Sequence, residues 1–202
     1  MKKISAFYDY LEIFVAAVCA VLLIFALGVR LCRVDGQSME TTLKNGQLLL
    51  TSDLFYTPKD GDIVVFHQSD NQNESLNKPL VKRVIATSGE WYKFVYVPDG
   101  ISYTMQVYVS DDENFDENDR VDESYINPDV YKGFPSSALF KNAVTDENGN
   151  KIVTAQVPDG KVFVMGDNRY NSNDSRLGVG YVDEKCIVGK AIFSLNPFGG
   201  VN

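Results

Sequence analysis

The sequence is poor in the residues that build metal centres and disulfide frameworks. It has one histidine, three cysteines and one tryptophan among 202 residues. The cysteines, Cys19, Cys32 and Cys186, have neither metal-ligand spacing nor the pattern of a disulfide framework, so we predict no metal site. Basic clusters are also missing, and the formal net charge is −8. Because phosphate binding needs grouped Lys and Arg, nucleic acid is excluded as a partner.

The chain has enough apolar residues for a folded domain and one long apolar run. Hydrophobic residues make up 45% of the sequence, which fits one soluble domain plus an anchor. Residues 13–29 are all apolar or glycine and would span about 25 Å as a helix. We predict a short tail at 1–10, a transmembrane anchor at 11–32 and a single domain at 33–202. Lysines before the run and arginines after it are balanced, so charge does not predict its orientation.

Directly after the apolar run comes the stretch Asp35-Gly36-Gln37-Ser38-Met39-Glu40-Thr41-Thr42-Leu43. A serine in this setting is either a turn or helix-capping residue, or a nucleophile. The second interpretation requires a base elsewhere in the chain.

Short apolar runs bounded by turn residues predict a mainly β domain. We expect strands at 47–50, 61–66, 80–86, 162–165 and 186–195, and a hairpin at 91–109 around Pro98-Asp99-Gly100. The region from about 95 to 160 is predicted to be a peripheral, acidic insertion. Its run Asp111–Glu123 lacks the glycine and glutamate spacing of a calcium-binding EF-hand loop and is interpreted as a solvated loop.

Lys82 stands out in the predicted strand at 80–86. Alternation places it on the same face as Leu80 and Val84, with Arg83 on the opposite face. One interpretation is a lysine whose stem lies along the sheet and whose amine is in water. The other is a buried lysine that has lost its proton and can act as a base.

A dense polar run, Gly166 to Arg176, follows the apolar strand at 162–165. It is either an elaborate turn or the polar wall of a site. Its two aspartates and two arginines can pair with each other or with Arg83, which would fix this segment against the lysine strand.

Together these stretches resemble the bacterial type I signal peptidases of the S26 family. The similarity rests on Gly36-Gln37-Ser38-Met39, Gly61-Asp62-Ile63-Val64, Lys82-Arg83-Val84 and Gly166-Asp167-Asn168-Arg169 through Arg176, in that order. It covers the chain apart from the acidic middle. The resemblance implies a mainly β fold of strongly bent antiparallel sheets with one N-terminal transmembrane helix.

The resemblance also implies roles for individual residues. Ser38 corresponds to the nucleophile, Lys82 to its general base and Ser172 to the hydroxyl that orients the amine. Structural support of the site is implied for Arg83, Asp167, Asn168, Arg169, Asp174 and Arg176. The oxyanion site and substrate groove are expected at Gly36, Gln37, Met39, Leu43, Leu80 and Val81. Some relatives have a serine at position 36 that helps to bind the oxyanion. Here glycine stands there, so we assign the oxyanion mainly to the Ser38 backbone N–H.

The implied activity is cleavage of signal peptides from exported preproteins after a small residue, without a cofactor. The partners would be preproteins and membrane lipid, and the domain would lie on the outer side of the cytoplasmic membrane. The oligomeric state is unknown from the sequence. Alternatives are a Ser/His peptidase using His67, an anchored non-catalytic β-domain that binds extended peptides, and a self-cleaving repressor. The last is disfavoured because an apolar run stands where DNA-binding helices would be.

Overall fold

A computed structural model describes residues 2–68, 78–126 and 142–201. Helix α1 (Lys2–Gly28) is followed in these ranges by β1 (Val29–Arg33), β2 (Leu48–Ser52), β3 (Ile63–Phe66), β4 (Leu80–Ala86), β5 (Trp91–Asp99), β6 (Ser102–Ser110), β7 (Val144–Thr145), β8 (Lys151–Gln156), β9 (Lys161–Met165), β10 (Val182–Asp183), β11 (Ile187–Leu195) and β12 (Phe198–Gly200). The predicted mainly β fold with curled antiparallel sheets is confirmed.

The N-terminal helix begins and ends at different residues from the predicted anchor. It includes residues 2–10, which were predicted to be a tail, and it ends at Gly28. Residues 29–33 instead form β1, which pairs antiparallel with β2, so the segment directly after the helix extends the sheet. Among the residues that the structure describes, no helix combines the length and the apolarity needed to cross a bilayer.

The larger sheet carries most of the elements around the site. Its strand order is β1-β2-β11-β3-β4-β9-β10, with β12 beside β11, and the neighbouring strands are antiparallel. The register shifts between Val84 and Ala86 where β4 pairs with β9, and shifts twice along β11. Such irregularities bend a strand and increase its twist, which accounts for the curled shape.

The second sheet has the order β6-β5-β8-β7. The predicted hairpin is confirmed, because β5 and β6 pair along their whole length. Met105 and Val153 of this sheet share a core cluster with Phe163 and Met165 of β9. The expectation that 95–160 is only peripheral is therefore wrong for these strands, whose alternating apolar residues bury one face. Residues 127–141 of that region lie outside the described residues.

Candidate active site

Ser38 and Lys82 meet although they are far apart in sequence. Ser38 lies in the turn after β1, and Lys82 lies in the middle of β4, where only 3% of its surface is exposed. The Lys82 amine Nζ donates to Ser38 Oγ at 2.8 Å and to the carbonyl oxygen of Val81 at 3.0 Å. Of the two interpretations of Lys82, the structure favours the buried amine over the solvated one.

Burial changes the protonation of this amine. Loss of hydration lowers the Lys82 pKa to about 8, while the carboxylates of Asp174 and Asp167 oppose that shift. A lysine with such a pKa is partly neutral near physiological pH, whereas an ordinary lysine is almost fully charged. The amine can therefore take the proton of the hydroxyl it contacts.

The polar run packs closely against Ser38 at Gly166. A Cβ added to Gly166 would lie 2.3 Å from Ser172 Oγ and 2.4 Å from the carbonyl oxygen of Ser38. That oxygen also accepts a hydrogen bond from the Asn168 backbone N–H at 3.0 Å, and the Asn168 side chain donates to the Gln37 carbonyl at 3.1 Å. Main-chain groups thus join the two segments directly.

Ser172 is buried beside the dyad but does not make the predicted contact. Among the described residues its hydroxyl has no hydrogen-bond partner of good geometry, and both acceptors of the Lys82 amine are other groups. The hydroxyl nevertheless lies close enough to Asp174 to favour the charged carboxylate there. Ser172 therefore lines the site within reach of Gly166, and its orienting role stays a prediction.

Two buried ion pairs hold the polar run in place. Arg83 Nε and Nη2 donate to Asp167 Oδ1 and Oδ2 at 2.9 and 2.8 Å, and these side chains are 4% and 0% exposed. Arg176 forms a second two-pronged pair with Asp174, at 2.9 and 2.7 Å. Burial raises the Asp174 pKa, but Arg176 and the N–H of Gly166 more than offset this, so the net shift is downward. Each carboxylate is thus held by two hydrogen bonds from a guanidinium group.

Arg83, which lies in the same strand as Lys82, was predicted to pair with the polar run, and its partner there is Asp167. Arg169, also predicted to support the site, forms an ion pair with Glu123 and donates from Nε to the Gly166 carbonyl at 3.1 Å. Glu123 belongs to the acidic run that was interpreted as a solvated loop. That interpretation is corrected at its end, because the buried Arg169 charge requires a counter-ion.

Other contributors had no signal in the sequence. Thr42 Oγ1 donates to Asp167 Oδ2 at 2.5 Å, Thr41 Oγ1 donates to the Tyr125 carbonyl at 2.7 Å, and the Arg83 guanidinium carbon lies 3.9 Å from the centre of the Tyr125 ring. Tyr125 is remote in sequence from Thr41 and Arg83, and no sequence pattern marks it. Only the fold therefore reveals these contacts.

An open cleft of about 350 Å³ lies beside the dyad, lined by Asp35, Gly36, Gln37, Ser38, Leu80, Lys82, Asn171 and Asn173. Three of the predicted groove residues, Gly36, Gln37 and Leu80, belong to this lining. The other three, Met39, Leu43 and Val81, are buried in the core beneath it. The prediction for those three is corrected, because their apolar side chains are taken up by the core under the site.

The structure also shows the position of His67, the alternative base, and the arrangement of side chains that could bind a metal. His67 is exposed at the end of β3, where its backbone N–H donates to the Cys186 carbonyl at 3.0 Å. Within the described ranges, no group of three or more His, Cys, Asp or Glu side chains is arranged to hold a metal ion. A serine hydroxyl on a buried lysine amine, beside an open cleft, is an arrangement suited to acyl transfer.

Comparison with known proteins gives a consistent result. The profile of the family described as "Signal peptidase, peptidase S26" matches residues 7–196. Signal peptidase I of Streptococcus pneumoniae is 35% identical over 175 residues, which cover 82% of this chain and 81% of that protein. Signal peptidase I T of Bacillus subtilis is 32% identical over 200 residues, covering 98% and 89%. A crystal structure of an Enterococcus faecalis signal peptidase I covers 67% of this chain and 97% of its own, with 24% identity and a TM-score of 0.39.

Proposed function

The chain belongs to the S26 family of signal peptidases, and we propose that it cleaves signal peptides with Ser38 as nucleophile and Lys82 as general base. The 2.8 Å hydrogen bond between Lys82 Nζ and Ser38 Oγ is the observation that carries this proposal. A serine hydroxyl is too weak an acid to attack an amide unaided, and the buried amine supplies the base that it lacks.

The proposed reaction has two stages. Ser38 Oγ attacks the carbonyl carbon of the scissile bond while Lys82 takes the hydroxyl proton. The tetrahedral intermediate collapses as the C–N bond breaks and Lys82 returns that proton to the leaving amine, giving an acyl-enzyme. A water molecule, deprotonated by Lys82, then attacks the ester, and Ser38 recovers its proton as the carboxylic acid leaves.

We assign stabilisation of the oxyanion to the backbone N–H of Ser38. Among the residues that the structure describes, none accepts a hydrogen bond from this N–H, so it is available to a substrate carbonyl. Gly36 contributes no side chain, and its φ of +106° lies in a region that strains any other residue. A hydroxyl at position 36 is thus disfavoured by the backbone of this turn.

The anchor is proposed on the basis of the apolar N-terminal helix. Ile13, Leu22 and Phe25 of α1 are 66%, 62% and 57% exposed, so these apolar side chains have little protein cover. A surface of this kind is costly in water and favourable in lipid. We propose that α1 anchors the enzyme in the cytoplasmic membrane, with the cleft on the outer side, where the end of a signal peptide emerges.

A cleavage assay with a preprotein ending its signal peptide in Ala-x-Ala tests the function. We expect the full-length enzyme in detergent micelles to cut after the second alanine, because the shallow cleft next to Ser38 has room for a small side chain. The same preprotein with phenylalanine at that position is the matched control and should be cut at least about tenfold more slowly. Failure to cut the alanine substrate, or equal cutting of both, would contradict the proposal.

The pH dependence of this cleavage tests the role of Lys82. Only the neutral amine accepts a proton, and its pKa is about 8. We therefore expect kcat/KM to rise about tenfold per pH unit between pH 6 and 7.5 and to level off above about pH 8.5. The measurement is the initial rate of cleavage at low substrate concentration in buffers of constant ionic strength. A rate that is flat from pH 6 to 9 would argue against a lysine base.

A further inference from the structure

Tyr125 contacts all three segments that form the candidate site. Its backbone carbonyl accepts a hydrogen bond from Thr41 Oγ1 at 2.7 Å, in the turn that contains Ser38. Its ring covers the guanidinium of Arg83 at 3.9 Å, in the strand that contains Lys82. Its hydroxyl accepts from Arg169 Nη2 at 3.3 Å, in the polar run after β9.

The contact with Arg83 restrains the strand next to the proposed base. Asp167 holds the edge of the Arg83 guanidinium with two hydrogen bonds, the Gly61 carbonyl accepts a third at 2.8 Å, and the Tyr125 ring covers the face. A planar cation held by its edge and its face has little freedom. Since Arg83 follows Lys82 directly in β4, this grip fixes the backbone from which the amine projects.

The contact with Thr41 restrains the turn on the other side of the dyad. Thr41 lies three residues after Ser38, and its hydroxyl is tied to the main chain of Tyr125 rather than to a mobile side chain. Tyr125, which lies just after the acidic run, therefore links the nucleophile segment and the base segment.

We propose that Tyr125 is a positioning residue for signal-peptide cleavage, which keeps the Ser38 turn and the Lys82 strand at hydrogen-bonding distance. This inference rests on the function proposed above. Tyr125 touches neither of the reacting groups, so its effect passes through Thr41 and Arg83. Displacement of a catalytic group by about 1 Å can cost about a hundredfold in rate, which makes such a restraint measurable.

The test compares Tyr125→Leu and Tyr125→Phe with the wild type in full-length enzyme, using the Ala-x-Ala preprotein. Tyr125→Leu removes the ring, and we expect kcat to fall about tenfold to a hundredfold and KM to stay within about twofold. Tyr125→Phe keeps the ring and the backbone contact and should retain more than about a third of the wild-type kcat.

Tyr108→Leu is a matched control. The Tyr108 ring also covers a cation, with Lys93 Nζ 4.3 Å from its centre, but it lies in β6 of the second sheet. It should lower the melting temperature without lowering kcat. An equal fall in kcat for Tyr125→Leu and Tyr108→Leu would overturn the proposal, and so would Tyr125→Phe being as slow as Tyr125→Leu.

Thr41→Val keeps the inference testable if Tyr125→Leu fails to fold. This change deletes the hydroxyl that binds the Tyr125 carbonyl and alters little else in size. We expect a several-fold lower kcat with an unchanged KM, and an unchanged kcat would overturn the link to the Ser38 turn. Cleavage by Ser38→Ala at the wild-type rate would instead overturn the proposed function itself, so the two failures are distinguishable.

Discussion

Lys82→Met is expected to abolish cleavage and, at the same time, to raise the free energy of unfolding at neutral pH. Lys82 is 3% exposed, and methionine replaces it with an apolar side chain of similar length. The reaction loses its base, so we expect a fall in kcat of at least about a thousandfold, and Ser38→Ala should cause a similar fall. Lys82→Met should not behave as a folding defect, because it removes a group that is unfavourable in the folded state.

The expected gain in stability follows from the Lys82 pKa. A shift from 10.5 to about 8 corresponds to about 3 kcal/mol at roughly 1.36 kcal/mol per unit. Between these two pKa values the unfolded chain binds more protons than the folded one, so the wild-type enzyme becomes more stable as pH rises through this window. The advantage of Lys82→Met should therefore be full below about pH 8 and disappear above about pH 10.5.

Chemical denaturation at pH 7 and pH 10.5, together with the cleavage assay, checks this expectation. Lys161→Met is a matched control, because Lys161 also lies in a strand but is 37% exposed and paired with Asp183 at 3.3 Å. It should keep its activity and gain no stability. If Lys82→Met still cleaves, or is less stable than the wild type at pH 7, then the buried amine is not the costly base that we infer.

Gly166→Ala is expected to remove activity almost as completely, for a steric reason. The new methyl group would lie 2.3 and 2.6 Å from Ser172 Oγ and Cβ and 2.4 Å from the Ser38 carbonyl oxygen. The Ser38 carbonyl oxygen belongs to the backbone, and Ser172 Cβ is bonded directly to the backbone of its own residue. Neither atom can therefore rotate away from the new methyl group. The Ser38 turn or the polar run must therefore move, and we expect a loss of at least about a hundredfold in kcat/KM and about 1–3 kcal/mol in stability.

Gly199→Ala is the control for this substitution. A Cβ at Gly199 meets no atom within 4 Å, so the change should leave both cleavage and the melting temperature as they are. Activity is measured with the Ala-x-Ala preprotein and stability by thermal unfolding. Gly166→Ala with near wild-type kcat/KM would show that Ser38 and the polar run are not held in the close contact described above.

Local patterns in the sequence were sufficient for much of the fold. Turn residues and alternating apolar residues marked β4, the β5–β6 hairpin, β9 and β11 close to their observed bounds. Pairing of Arg83 with the polar run was also predictable, because a buried cation requires an anion and two aspartates stood in that run. The burial of Lys82 was one of two open interpretations, since alternation defines a face but not what covers it.

The remaining features depend on contacts between distant residues. Met39, Leu43 and Val81 were expected in the groove because they are apolar and near the site, yet the core takes them up. The support from Glu123 was missed because composition alone marked its segment as solvated, and no sequence pattern marked Tyr125. In each case the environment of a side chain is set by which strand lies against it, and the sequence does not contain that information locally.

The place of β11 in the larger sheet affects when the enzyme can begin to work. Among the described strands, β11 comes after all the other long ones in the chain, yet it lies between β2 and β3, which are among the first. Until residues 187–195 have left the ribosome, β2 and β3 lack the strand that lies between them. A nascent chain therefore carries Ser38 long before the sheet around the site can form, and we expect hydrolysis only after β11 has been synthesised.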